Sequence, residues 1–341
     1  MKRVFYSILI VLSSCSTNHK EDQQIEKSEL TILSEKIKND PTDTDLLLER
    51  IAYNNKKEYD ESVLFDAKQC LSIDSANAHF HYLLATAYFN ISKKNHAKSD
   101  YPYLALSHLN KAIVLDSQDD KLFALKGELL IAFVKYKEAI IAFNQSLELN
   151  YNQEKTHLLM GYSFKQLAQQ DRAINCFRNA LNINPEYKEA YIQLGQMHHL
   201  MQDALAVVYY NNALRIDSVD VITLYNKALF FQQTKKYNAA IEGYTDLFRA
   251  DAFHSNGHYN LGFIHMELGL HDVATNNFSD AIYSNSEFYE AYYSRGNCFE
   301  TLGNIAQAES DYKRAIAINP EYAFAIEALK NIQKYNLKYN K

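Results

Sequence analysis

The sequence predicts an all-α fold, a solenoid of helical hairpins, and three observations carry that prediction. One helical slot recurs eight times, at Ile51, Ala85, Gly127, Gly161, Gly195, Ala228, Gly262 and Gly296, small in seven copies and spaced by 34, 42, 34, 34, 33, 34 and 34 residues. An Asp or Asn closes each copy, at Asp74, Asp116, Asn150, Asn184, Asp217, Asp251, Asn285 and Asn319, and Pro185 and Pro320 follow two of them, where one helix ends and the next begins. Between these signals large residues alternate with small ones at helical spacing, as with Tyr292, Phe299, Tyr312 and Ile316 against Gly296, Ala308 and Ala315. Small slots let two helices approach closely, and large ones fill the space between them. A period of this length describes units that bury their apolar faces only against neighbouring units. The spacing of 42 is one unit with an eight-residue insertion, and that of 33 is one short loop.

In chain order, Lys2 and Arg3 precede the apolar run Val4 to Leu12, which gives way to Leu12-Ser13-Ser14-Cys15. A basic start, an apolar core too short for a membrane span and small residues before a cut are what a secretory signal needs. Residues 1–14 resemble a bacterial lipoprotein signal. That resemblance implies a mature chain starting at an acylated Cys15, whose palmitate-like chains hold it to a membrane at about 0.8 kcal/mol per buried methylene. Residues 15–28 are a polar tether, in which Lys20-Glu21-Asp22 resembles the acidic export signals of Bacteroidota surface lipoproteins. The expected location is the bacterial cell envelope, at the outer membrane, facing the periplasm or the surface.

Residues 29–43 hold a capping helix with Leu30, Leu33 and Ile37 on one stripe, and Asp40-Pro41 lies one unit before Asp74. Eight units follow over 44–322, at 44–77, 78–119, 120–153, 154–187, 188–220, 221–254, 255–288 and 289–322, the second carrying a polar loop insertion at about Lys93 to Asp100. Residues 323–341 form a Lys-rich and Asn-rich capping helix and tail, with Ala325, Ile326, Leu329 and Ile332, together with Tyr322 just before it, as its apolar stripe.

The repeated region resembles the tetratricopeptide repeat family. In the copy from Glu154 the family's Gly slot is Gly161, its aromatic slots Phe164 and Phe177, its Ala slots Ala173 and Ala180, and its Pro is Pro185. The first copy departs most, with Ile51 in the Gly slot, Asn54 in an aromatic slot, and Val63 and Cys70 in the Ala slots. The resemblance implies a right-handed superhelix of helix-turn-helix hairpins that binds a protein or peptide on a concave wall and does no chemistry of its own.

Composition narrows the alternatives. The formal net charge is −6, and −8 once Lys2 and Arg3 leave with the signal, a balance that argues against nucleic acid as partner. Cys70, Cys176 and Cys298 sit in or beside slots between helices and read as buried thiols. Among the histidines, His81, His157 and His258 share a large slot with Tyr191 and Tyr292, and His198 and His265 share one with Tyr88, Phe164 and Phe299. They read as aromatic substitutes in packing, since no metal-ligand spacing appears. No phosphate-cradling loop or nucleophile elbow is present either, so neither cofactor nor small-molecule substrate is expected, and the chain reads as a non-enzyme.

What remains is surface. Projecting the first helix of each hairpin places Tyr82, Phe89, Tyr162, Gln196, Tyr225, Asn226, Tyr259, Asn260, Phe263, Tyr293 and Asn297 on the outward wall. Tyrosine offers broad contact area, few rotatable bonds and a polar tip, which suits peptide and protein recognition. Charge on these helices is uneven, with Lys56, Lys121, Lys155 and Lys165 early against Asp45 and Glu128, and Glu189, Glu267, Glu290 and Glu300 late with Lys227 and Arg295 as exceptions, so the later half leans acidic and suits a partner bearing Arg or Lys. The Lys–Asn clamp that some members of the family use for a terminal carboxylate is not supplied. The reading is a membrane-anchored adaptor, with a stoichiometric subunit of an envelope secretion, pilus, motility or outer-membrane assembly machine as the alternative.

Overall fold

A computed structural model of the chain describes residues 30–95 and 100–339. A first helix is described over residues 30–39 (α1), and eight hairpins follow. They pair α2 (Thr44–Lys56) with α3 (Asp60–Ile73), α4 (Ala78–Lys94) with α5 (Tyr101–Leu115), α6 (Asp120–Ala132) with α7 (Tyr136–Leu149), and α8 (Glu154–Gln166) with α9 (Gln170–Ile183). The series continues as α10 (Lys188–Leu200) with α11 (Leu205–Ile216), α12 (Val221–Gln233) with α13 (Tyr237–Ala250), α14 (Ser255–Glu267) with α15 (His271–Ser284), and α16 (Tyr289–Thr301) with α17 (Ile305–Ile318), before a final α18 (Ala323–Tyr339). No strand occurs among the described residues, so the fold is the all-α hairpin repeat that the spacing predicts. The chain divides into two compact units between Ala173 and Ile174. Each hairpin has a first, A helix and a second, B helix.

Size complementarity holds each hairpin together. The small slot of the A helix meets a ring from the B helix: a Cβ added at Gly195 would lie 2.5 Å from Tyr210, at Gly262 2.8 Å from Phe278, and at Gly296 2.7 Å from Tyr312. All three rings are fully buried. The first copy inverts this arrangement. Ile51 fills the small slot, and the ring's position is held by Ala67, both buried in the core of the first unit with Leu47, Leu84 and Leu109. The large-for-small exchange explains why this copy keeps the repeat phase with unusual chemistry.

The closing Asp or Asn acts through a turn. Its side-chain oxygen accepts the N–H two residues on, as in Asp74 with Ala76 at 3.0 Å, Asn150 with Asn152 at 3.1 Å and Asn319 with Glu321 at 3.2 Å, which fixes the exit from the B helix. In seven of the eight hairpins, all but α4–α5, the A helix ends on a left-handed residue, at Glu58, Val134, Ala168, Gln202, Lys235, Gly269 and Gly303, of which only the last two are glycine. At α6 the Val134 N–H bonds Ile131 O and the Lys135 N–H bonds Leu130 O, each at 2.8 Å, which satisfies carbonyls the helix end would leave open. Val134 has φ +60°, where a β-branched side chain is strained, and its side chain is exposed. Val134→Gly is therefore expected to raise stability by about 1 kcal/mol, read as a higher urea midpoint, because relief of strain exceeds the added freedom of the unfolded chain. A lower midpoint would mean that this turn takes another conformation.

Two length changes fall elsewhere than the spacing suggests. The insertion begins as helix: α4 has 17 residues where α2 and α6 have 13, so Lys93 and Lys94 are helical and Lys94 Nζ reaches Asp60 at 2.8 Å and Glu58 at 3.1 Å. Residues 96–99 of that segment lie outside the described residues. The missing residue of the 33-residue spacing comes from the first turn of α11, which has 12 residues against 14 in α13, α15 and α17. Asp203 closes the shortened turn by accepting the Leu205 N–H at 3.0 Å. The expected cap over 29–43 is the helix 30–39 followed by Asp40, and the second cap matches α18. The signal, Cys15 and the tether lie outside the described residues.

Candidate partner-binding surface

In the second unit the A helices bring the predicted tyrosines into one repeating row. Tyr225 packs its ring against Tyr244 and His254, and its hydroxyl accepts from Asn260 Nδ2 at 3.1 Å. Tyr259 stands one repeat on, packed against Phe278 and Phe288, with its hydroxyl 3.5 Å from Ser294 Oγ. Tyr293 follows, among Tyr312, Tyr322 and Phe324. Each ring is half-buried, one part bracing the next repeat and the rest open to solvent. Gln196, Asn226 and Asn260 are also half-buried, while Phe263 and Asn297 are exposed. The row is thus a fixed surface, its rings held by packing and the hydroxyls of Tyr225 and Tyr259 by a neighbouring amide and hydroxyl.

Its continuation at the end of the last repeat lies outside the projected wall, since the sequence pattern sets Tyr322 on the apolar stripe of the C-terminal cap and makes no use of Phe324. Tyr322 lies edge-on to Tyr289 at 4.9 Å and to Phe324 at 5.6 Å, and Phe324 is 64% exposed. Burial pushes the Tyr322 hydroxyl up to about 12, so it stays protonated and able to donate. The available signal was Tyr322-Ala323-Phe324, two residues after the closing Pro320, which the repeat boundary split.

In the first unit the expected wall is less open. Tyr82 and Tyr162 are half-buried, and burial raises the Tyr82 hydroxyl above its ordinary value. Phe89, expected on the open wall, is instead buried at 5% exposure in the apolar core of the first unit, with Lys93 Nζ of the lengthened α4 over its ring at 4.6 Å. Lys155 bonds Glu128 at 2.6 Å, so part of the early basic charge is neutralised between adjacent A helices. Late in the chain Glu300 accepts the Tyr312 hydroxyl at 2.7 Å and is still exposed.

The histidines pack as read, and they also cap. His81, His157 and His258 each place Nε2 3.0 to 3.2 Å from the carbonyl six residues earlier, at Ser75, Tyr151 and Ala252, so Nε2 carries the proton and donates. His81 Nδ1 is then an acceptor, and His108 Nδ1 donates to it at 2.9 Å. Burial, with His81, Lys111 and Lys68 nearby, pushes the His108 imidazole down to about 4, and burial lowers His81 and His157 as well. The sign follows from linkage: the unfolded chain takes up protons near pH 6.5 while the folded one resists, so stability is complete above that pH and falls as pH drops toward about 4. Urea midpoints measured from pH 7 to 4 are expected to fall less steeply for His108→Gln than for the native chain. Parallel slopes would remove His108 from the account.

Cys70, Cys176 and Cys298 are free and buried, and burial pushes each thiol up to about 11, which makes them inert packing groups. Among the described residues no cluster of three or more His, Cys, Asp or Glu is placed to hold a metal ion, and no helix is long and apolar enough to cross a membrane. What the arrangement offers is a ribbed face of rings, amides and carboxylates.

Such a fold and face define an all-α hairpin-repeat protein. Two of the copies match known repeats: residues 154–187 and 289–322 match family models of the tetratricopeptide repeat. The chain is similar to the C-terminal part of a TPR repeat-containing protein from Cytophaga hutchinsonii, at a TM-score of 0.60 and 15% identity, covering 68% of this chain and 96% of that one. It is also similar to the Cut9-Hcn1 hetero-tetramer of the APC/C, at a TM-score of 0.50 and 18% identity, over 90% of this chain and 58% of that one. Anaphase-promoting complex subunit 3 of Schizosaccharomyces pombe is 22% identical over 178 residues, which span 52% of this chain and only 27% of that relative.

Proposed function

We propose that this chain is a non-catalytic adaptor of the bacterial cell envelope, held to the outer membrane by an acylated Cys15, which binds a protein or peptide partner on its A-helix face. The observation that carries the binding role is the row of Tyr225, Tyr259 and Tyr293, half-open rings repeated at one-unit spacing and fixed by their neighbours. Rigid aromatic anchors bind at low entropic cost, and the carboxylates Glu267 and Glu300 favour a partner segment carrying Arg or Lys. The matches to tetratricopeptide repeats support a scaffold role. The anchor rests on the residues before and at Cys15 alone.

Crosslinking in the chain's own cells tests this reading. Replacing Tyr225, Tyr259 and Tyr293 with Ala, or exposed Phe263 and Asn297 with Arg to spare packing, is expected to remove one abundant captured partner. Unchanged capture by both variants would move binding off this face. Cys15→Ser is expected to leave the outer-membrane fraction; normal fractionation would refute the anchor. Recovery of the partner at fixed stoichiometry would favour a machine subunit over an adaptor.

A further inference from the structure

The tyrosine row is double, and its last pair has a ring beside it that the inner repeats lack. Each tyrosine packs against a ring just before the next A helix: Tyr225 on His254 and Tyr259 on Phe288, both at 4.9 Å, and Tyr293 on Tyr322 at 5.5 Å. His254, Phe288 and Tyr322 hold one position of the repeat. Two residues further on the inner repeats carry Asn256 and Glu290, but α18 carries Phe324. The other exposed residues of α18, such as Glu327, Lys330 and Gln333, are polar or small, as befits a helix that ends a stack. Phe324 is 64% exposed, and it extends a cluster, 5.6 Å from Tyr322 and 6.0 Å from Tyr293, with Tyr289 edge-on to Tyr322 at 4.9 Å.

The charge at this corner has one sign. Glu290 is half-buried there and, by accepting from the Tyr289 hydroxyl, holds it above its ordinary value. After burial, the groups that push the Tyr322 hydroxyl up to about 12 are Tyr259, Tyr293, Glu290 and Tyr289, with no base among them. Nearby bases are engaged or distant. Arg295 holds Asp311 and Ser279, Arg314 lies over Tyr292 at 5.9 Å, and Lys313 pairs with Glu309 at 2.7 Å. Lys330 and Lys334 stand about 9 and 15 Å further along α18 than Phe324.

We propose that Tyr322, Phe324 and Glu290 form a subsite that takes an arginine side chain of the partner protein. The subsite rests on the adaptor reading for its partner and adds which residue is recognised and at which end of the row. A guanidinium is flat, so it stacks on an open aromatic face while the N–H groups at its edge meet a carboxylate; an ammonium is a point charge and gains less from the pair. Arginine also separates a partner from the chain itself. Outside the described residues Arg3 is the only arginine, and it lies in the segment read as a signal. Residues 15–29, 96–99 and 340–341 offer none.

N-acetyl-arginine methylamide, titrated at millimolar concentration into the full chain with isotope-labelled Tyr and Phe rings, tests the subsite before any partner is known. Saturable shifts of the Tyr322 and Phe324 ring signals are expected. The lysine analogue is expected to bind about threefold weaker or worse, and the uncharged citrulline analogue about tenfold. Glu290→Gln, which keeps the shape, and Phe324→Ala, at an exposed ring, are each expected to weaken binding about fivefold with thermal unfolding unchanged. No saturable shift, equal binding of either analogue, or indifference to Glu290→Gln would overturn the proposal. In cells, a photo-crosslinker in place of exposed Ala323 that captures an arginine-bearing segment of another protein supports it. A captured segment without arginine, or one from this chain or a second copy, overturns it. The two readings fail separately. Capture unchanged by the wall variants refutes the wall whatever the probe does, while a probe that leaves Tyr322 and Phe324 unshifted refutes the subsite even where those variants lose the partner.

Discussion

Gly262→Ile is expected to destabilise the chain by about 1–3 kcal/mol or more, and Phe278→Ala by about 3–5 kcal/mol, while the double variant recovers much of both losses. A Cβ at position 262 would lie 2.8 Å from two ring atoms of Phe278, and that ring, at 0% exposure, has nowhere to move. Removing the ring alone leaves a cavity between α14 and α15. Making both changes recreates the Ile51 and Ala67 arrangement of the first hairpin, with similar total volume on opposite sides of the contact. Ala85 with Leu109 is the intermediate case, so the protein already holds three solutions of one packing problem. Urea unfolding of the four proteins in a double-mutant cycle reads the coupling, expected at about 1–3 kcal/mol in favour of the pair. A double variant as unstable as the sum of its parts would show that the hairpins are not interchangeable modules.

The same contact shows what the sequence discloses and what it withholds. The period was legible because every hairpin repeats one local demand, a small A-helix slot and an Asp or Asn at the closing turn, and such demands print directly on residue types. The inverted copy at Ile51 was legible only as a departure, because its compensation, Ala67, lies across the hairpin. The left-handed residues escaped notice since Val134, Ala168 and Lys235 carry no glycine signature; their conformation is imposed by the helices on either side. On the binding face, projection found Tyr225, Tyr259 and Tyr293 because exposure on a helix follows its period. It placed Phe89 outside because a projection sees one helix alone, and this ring is buried in the apolar core of the first unit. Tyr322 reads as part of the cap's stripe and Phe324 goes unused, because their neighbours come from α16, a contact that no single helix pattern contains.

Asp311→Ala is expected to cost about 3 kcal/mol, near the lower end for breaking a buried ion pair because Arg295 keeps 20% of its side chain in contact with water. Arg295 donates to Asp311 through Nε at 2.8 Å and Nη2 at 2.7 Å, and through Nη1 to Ser279 Oγ at 3.0 Å, with the rings of Tyr292 and Phe299 beside its guanidinium. One residue thereby ties the B helix α15 to both helices of the last hairpin. Arg50 does the same in the first hairpin, holding Asp66 at 2.7 and 2.8 Å and Ser34 of α1 at 3.3 Å. At the hairpins between them the equivalent pairs are uncharged or mismatched, for example Leu194 with Tyr209 and Leu261 with Asn277. A terminal hairpin has a full neighbour on one side only, so it is the place where fraying starts and where a three-helix tie acts most. Amide exchange in α16 to α18 is therefore expected to quicken in Asp311→Ala while α10 to α13 stay protected. Replacing the pair together, as Arg295→Met with Asp311→Leu, is expected to leave global stability near native or up to about 1–4 kcal/mol higher, since no charge is then left buried. If Asp311→Ala costs less than about 1 kcal/mol, Arg295 finds water freely and the tie is no more than a surface pair.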